Sequence, residues 1–207
     1  FRVGLADSIE VAIVPGLMAR LRREAPGVAL RLRPLNQPTI LDDLDVGALD
    51  LGIGVFGHGQ GHHKRRPLYS DRFLFLFNPA LLRFQRPISL ENYLSVPHVL
   101  TSLGDDAHGA VDEALAKLKL KRTVALVTPG FLAVPFVVAR APLMTTMPLR
   151  LARYFAEAFQ LATSPAPVEL PSLAVSLIWH GSFDDDPGHI WLRQTISAVA
   201  VEVAHNL

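Results

Sequence analysis

The sequence predicts an α/β protein. Short apolar runs alternate with amphipathic helical stretches, turn residues separate them, and the opening stretch, Phe1 to Leu35, reads as strand, loop, helix, strand. Phe1 to Leu5 is apolar. Asp7 and Ser8 follow as helix N-cap residues, and Glu10, three residues after Asp7, comes close to a capping box. Val14, Leu17, Met18 and Leu21 recur at helical spacing, with Arg20, Arg22, Arg23 and Glu24 on the other face, until Ala25-Pro26-Gly27 stops the helix. Val28 to Leu32 then alternates like a strand. In a βαβ unit, ligands bind beyond the carboxyl ends of the strands, where helix N-termini offer backbone N–H groups. The loop from Ala6 to Ile9 is therefore the first candidate contact.

Further along, Pro34 to Thr39 is a polar turn, Ile40 to Val46 a short helix ended by Gly47, and Leu49 to Phe56 an apolar strand. The spacing predicts an exposed loop over 57–66 and a long strand over 68–77, which makes a parallel sheet with an added strand. Asn78-Pro79 reads as a crossover, because proline biases the preceding residue away from helix. A second unit follows: a capped helix over 89–94, a strand over 97–100 ending at Thr101-Ser102, a helix over 107–118, a strand over 123–127, a helix over 131–139 and a strand over 143–146. Pro148 is placed as the first residue of a helix reaching Phe159. Pro165 to Pro171 reads as extended linker, Leu173 to His180 as a last strand, and His189 to His205 as a C-terminal helix preceded by Asp184 to Gly188. There is no repeat of fixed period and no low-complexity tract.

Half of the 207 residues are apolar and 19% are charged, a balance suited to a packed core. A net charge of +1 leaves no overall footprint for nucleic acid or anionic membrane. The absence of cysteine removes disulfides and thiolate chemistry and suits a reducing compartment. No apolar run reaches bilayer length and no signal peptide is visible, so the expectation is a cytoplasmic protein with no membrane partner. The abrupt start on a strand suggests an excised domain.

The layout resembles the effector-binding domain of LysR-type transcriptional regulators. The likeness is carried by residues 17–34 (LMARLRREAPGVALRLRP), 40–56 (ILDDLDVGALDLGIGVF), 65–79 (RRPLYSDRFLFLFNP), 146–159 (TMPLRLARYFAEAF) and 178–193 (IWHGSFDDDPGHIWLR). It is strongest for the branch that senses aromatic or flavonoid-like inducers. The resemblance implies a type 2 periplasmic-binding-protein-like fold of two α/β subdomains with mixed sheets around a central cleft. Residues 1–78 plus 181–207 would form subdomain I and 79–180 subdomain II. It also implies a winged helix-turn-helix N-terminal to this chain and absent from it, contact with DNA only through that missing domain, a homodimer with a tetramer for the full-length protein, and a first helix packed against the second subdomain of another protomer. The effector would be a small aromatic or carboxylate-bearing molecule, with no cofactor and no enzymatic activity.

Each motif has a plainer reading beside the functional one. Gly52, Gly54 and Gly57 spell G-x-G-x-x-G, but the first two lie inside a strand, which does not fit dinucleotide binding. His58, His62 and His63 sit in a glycine-rich loop that reads as solvated, with no metal site assigned. No G-x-S-x-G or H-E-x-x-H is present, and one of Asp184, Asp185 and Asp186 reads as a helix cap. Candidate ligand contacts are Asp7, Ser8 and Ile9, with Asn36, Gln37 and Thr39 at the matching turn of the next unit. Across the expected cleft stand Thr101, Ser102, Thr128, Gly130 and Phe131, the glycine for close approach and the ring for stacking. His180 joins them because the family's W-H context faces the cleft. Trp179 and Trp191 read as packing groups. A transporter solute-binding protein and an enzyme of the same cleft fold are the rival readings.

Overall fold

The computed structural model describes residues 1–35, 39–57, 61–102 and 108–205. The chain divides into two units: Phe1–Ser70 with the chain from Leu173 onward, and Asp71–Ser172. Each is built on its own five-stranded mixed sheet.

In the first unit the elements are β1 (Arg2–Leu5), α1 (Asp7–Glu24), β2 (Arg31–Pro34), α2 (Ile40–Asp45), β3 (Leu51–Val55), β4 (His63–Asp71), β10 (Leu173–His180) and α7 (Pro187–His205). The strand order is β2-β1-β3-β10-β4. β1 runs parallel to β2 and to β3, while β10 is antiparallel to β3, pairing Ile178 with Gly52 and Val175 with Val55. α1 turns Ile9, Ile13, Leu17 and Leu21 onto one buried stripe. That stripe shares a core with Leu192, Ile196, Val199 and Ala200 of α7 and with apolar residues of β1, β3 and β10. The two helices approach closely where a Cβ added to Gly16 would stand 3.2 Å from Val199 Cγ1. On the other face, Ile40 and Leu44 of α2 pack with Leu35, Leu49, Phe56 and Ile178. The glycines of β3 serve this packing: a Cβ on Gly52 would come within 3.0 Å of Ile178 and 3.1 Å of Ile40.

The C-terminal motif ties this unit together at the α7 start. Asp186 Oδ1 accepts from His189 N at 2.7 Å, which makes it the aspartate that caps the helix. Trp179 Nε1 donates to Asp184 Oδ1 at 2.8 Å. Arg193, 4% exposed, donates to the carbonyls of Phe183 and Asp184 and to His189 Nδ1, with its guanidinium 4.5 Å from the Trp179 ring. With Nδ1 accepting, the His189 Nε2–H is left to donate to Asp50 O at 2.9 Å. Burial lowers the His189 pKa, which suits this neutral tautomer.

The second unit holds β5 (Phe73–Phe77), α3 (Leu90–Leu94), β6 (His98–Thr101), α4 (Ala110–Lys117), β7 (Val124–Thr128), α5 (Val134–Val138), β8 (Met144–Pro148), α6 (Leu149–Phe159) and β9 (Ala162–Pro165), with strand order β7-β6-β8-β5-β9. Phe75 stacks on Tyr93 with ring centroids 4.2 Å apart, in a core with Phe77, Ile88, Val111, Leu115 and Met144. A buried polar group braces it. Arg122 forks onto Asp112 at 2.7 and 2.8 Å and donates to Tyr93 Oη at 3.3 Å, and His98 Nε2 donates to the Tyr93 carbonyl at 2.9 Å.

Several expectations are corrected. α1 begins at Asp7 with Ala6 as N-cap and no side-chain cap bond, and it runs through Pro15. Ala6 O receives the N–H groups of Ile9 and Glu10 at 3.0 and 2.9 Å, so the turn closes on backbone and Asp7 lies inside the helix. The expected exposed loop over 57–66 instead enters β4 at His63, and the long strand over 68–77 is split at Arg72. β4 is a sheet edge, mostly exposed between its buried ends and carrying Lys64, Arg65, Arg66 and Pro67, so its start looks like loop. β9, which pairs with β5, lies between the expected helix and the expected linker and shares only Pro165 with the linker. β5 pairs within the second sheet and β10 within the first, and the two compact units meet at Ser70/Asp71 and Ser172/Leu173. Pro148 stands at the N-cap of α6.

Two predictions follow from these buried polar groups. Burial lowers the His98 pKa from 6.5 to about 4, more than the Tyr93 carbonyl bond raises it. The unfolded chain therefore takes up a proton at a pH where the folded one does not. Stability should fall between pH 6.5 and about 4, with this residue contributing up to about 1.4 kcal/mol per pH unit. In urea titrations across that range, His98→Gln should show a shallower pH slope; an unchanged slope would discard the assignment. Asp112, held below the ordinary carboxylate range because the Arg122 hydrogen bond and charge outweigh burial, loses its contribution only at more acid pH. The second concerns Arg193→Lys, which cannot reproduce the fork onto two carbonyls and a ring nitrogen. Its unfolding free energy should drop by about 1–3 kcal/mol. An unaltered urea midpoint would show that the clamp is dispensable.

Candidate functional site

In the first unit, the parallel strands β1 and β3 set their carboxyl ends side by side, with Leu5 in register with Ile53. The chain leaves β1 through Ala6 straight into α1. The Ile9 and Glu10 N–H groups close onto Ala6 O, and Ile9, only 6% exposed, packs in the core. Asp7 and Ser8 remain half-buried at the helix start, a place where backbone N–H groups and the helix dipole favour a ligand acceptor. Thr39, exposed ahead of α2, donates to Asp43 Oδ2 at 3.2 Å, which is local turn chemistry. Asn36 and Gln37 lie outside the described residues.

In the second unit, β6 and β7 are parallel, and Thr101 is in register with Thr128. Ser102 N donates to Thr128 O at 3.0 Å, so these residues form one row at the carboxyl ends of adjacent strands. Thr101 Oγ1 is buried and has no hydrogen-bond partner among the described residues. A buried hydroxyl without a partner costs free energy, which a ligand's polar atom would recover. Gly130 and Phe131 are half-buried in the turn after β7, and α5 starts only at Val134, with Val134 N bonded to Phe131 O at 3.1 Å. Sequence reasoning read Phe131 as the helix start because an apolar run begins there.

His180 is not brought to Asp7 and Ser8. β10 is antiparallel to β3, so its carboxyl end lies at the amino end of β3, the opposite edge of the sheet. There His180 meets Asp45, His62 and His63. Asp45 Oδ1 stands 3.1 Å from His62 Nε2, 2.8 Å from His63 Nε2 and 4.0 Å from His180 Nε2. Ligand atoms of Asp45, His62 and His180 all lie within 4.8 Å of one another. The solvated-loop reading, with no metal site, missed this arrangement, since Asp45 and His180 are distant in sequence. The only available signal was the His-His pair itself.

The described residues include no helix long and apolar enough to cross a membrane. Residues 1–200 match the LysR substrate binding domain family. Over 195 residues the chain is 33% identical to the HTH-type transcriptional activator NagR of Ralstonia sp, covering 94% of this chain and 64% of NagR. It is 30% identical over 194 residues to the HTH-type transcriptional activator NahR of Pseudomonas putida, covering 94% and 65% respectively. The chain thus spans just under two thirds of the length of these curated relatives. The crystal structure of the regulatory domain of MexT, a transcriptional activator in Pseudomonas aeruginosa, superposes with a TM-score of 0.85 at 31% identity, covering 96% of each chain. Two mixed α/β sheets in this strand order, a family match along nearly the whole chain and relatives that are regulators rather than enzymes agree. The chain belongs to the LysR substrate-binding domain family, the effector-binding module of LysR-type transcriptional regulators, with a type 2 periplasmic-binding-protein-like fold.

Proposed function

We propose that this chain senses a small aromatic or carboxylate-bearing effector for a transcriptional regulator whose DNA-binding part lies outside these residues. The family match over residues 1–200 carries this reading. The local chemistry supports it. The start of α1 offers a helix N-terminus with the Ser8 hydroxyl, suited to an acceptor, beside the Asp7 carboxylate, suited to a donor such as a hydroxyl. Thr101, Ser102 and Thr128 supply hydroxyl and backbone groups at the ends of β6 and β7 in the other unit. Groups of this kind orient a ligand by hydrogen bonding.

Effector binding would act by population shift: a molecule that prefers one conformation of the regulator draws the equilibrium toward it by its differential affinity. In the full-length regulator we propose a homodimer or tetramer that passes this shift to DNA. The exposed arginines Arg22 and Arg23 of α1 belong to the helix that the family reading assigns to self-association.

Thermal denaturation of the chain against a panel of aromatic carboxylic acids and hydroxylated aromatics should find ligands that raise Tm. At a hundredfold excess over Kd the stabilisation should be about 2.7 kcal/mol. Ser8→Ala and Thr101→Val should each weaken such a ligand by roughly five- to tenfold, the worth of one hydrogen bond. His180→Ala should leave its affinity unchanged. A panel with no stabilising member would defeat the reading, and loss of affinity in His180→Ala would move the site.

A further inference from the structure

We propose that Asp45, His62 and His180 form a divalent transition-metal site at the amino-end edge of the first unit's sheet, with His63 as a buried positioning residue. This site is separate from the effector contacts proposed above and does not depend on them.

Three elements converge there. Asp45 is the last residue of α2, His62 immediately precedes β4 and His180 ends β10. The backbone holds them in register, since Gly181 N donates to His62 O at 2.8 Å. The approach is tight enough that a Cβ on Gly181 would stand 2.8 Å from that oxygen. The rings cluster accordingly, His62 and His63 with centroids 4.3 Å apart and His62 and His180 5.2 Å apart.

The crowding centres on one atom. Three imidazole nitrogens approach Asp45 Oδ1, and His62 and His63 both pair with it, at 3.1 and 2.8 Å. The His63 side chain is fully buried, so its contact holds the carboxylate in place. A carboxylate fixed in this way, with two further imidazoles beside it, is a ready ligand for a cation. Ligand atoms already within 4.8 Å of one another need only small adjustments to reach the separations of about 3.3 Å found around a tetrahedral zinc with bonds of 2.0–2.1 Å.

The outer contacts fit the same role. His180 Nδ1 accepts from the Ser182 N–H at 3.2 Å and faces Ser182 Oγ at 2.7 Å. These contacts fix the ring's orientation, and a metal bound at Nε2 would displace the proton that this tautomer carries there. Two imidazoles and one carboxylate suit Zn²⁺ and its neighbours in the first transition row and leave a fourth position for water or another small ligand.

The test uses the chain stripped of metal by chelation and titrated with Zn²⁺ by calorimetry, with Co²⁺ as an optical probe. One equivalent should bind saturably and raise Tm, and Co²⁺ should give visible absorption of a low-symmetry site. His62→Ala and His180→Ala should each weaken binding at least tenfold, while His205→Ala should bind like the unaltered chain. His62 is 45% exposed, so its removal leaves the core intact, and circular dichroism of the metal-free variants checks this. The proposal is overturned if no saturable equivalent appears. It is equally overturned if both variants bind as tightly as the unaltered chain, which would mean an adventitious ion only.

Discussion

The first unit depends on the antiparallel pairing of β10 with β3. This pairing returns the chain to the sheet it left at β4 and sets α7 beside α1, so that Ile13, Leu17 and Leu21 find Leu192, Ile196 and Val199. Without α7 the stripe on α1 would lose part of its cover, and a helix of this kind draws most of its stability from tertiary packing and not from propensity. The register also explains the glycines of β3. Ile178 packs over Gly52, and Phe56 folds back over Gly54, so these positions are kept free of side chains by neighbours and not by a nucleotide.

The direction of β10 also separates two chemistries. At the carboxyl ends of β1 and β3, the chain presents a helix start with Asp7 and Ser8, a place that suits a polar organic ligand. At the other edge it gathers three histidines around Asp45. The same edge carries the braces of the C-terminal motif, in which Asp186 caps α7 while Arg193 joins Trp179, Phe183 and Asp184. The late stretch that marks family membership is therefore largely a structural clamp.

In the second unit the constraint is a buried polar core. Tyr93 is stacked on Phe75, receives the His98 ring nitrogen at its carbonyl and the Arg122 guanidinium at its hydroxyl, and Arg122 in turn is held by Asp112. Such a network is favourable only when its members are paired, since one partner removed leaves another buried and unsatisfied.

Most of the fold was legible in residue order. The helical spacing of Leu17 and Leu21, the stop at Gly47 and the cap at Ser89 act through local chemistry, which a sequence carries in full. The start of β4 and the whole of β9 were not legible, because each is fixed by a partner strand and carries charged or small residues that read as loop. The candidate site divides in the same way. The place of Ser8, Thr101 and Thr128 at the carboxyl ends of parallel strands follows from strand-to-loop order in the chain. The place of His180 does not, because the sequence shows that β10 is a strand but not which way it runs. By itself the sequence determined element type, family and the loops that end parallel strands. Tertiary structure decided which edges those elements share, since strand direction and long-range pairing are settled by hydrogen bonds between segments far apart in the chain.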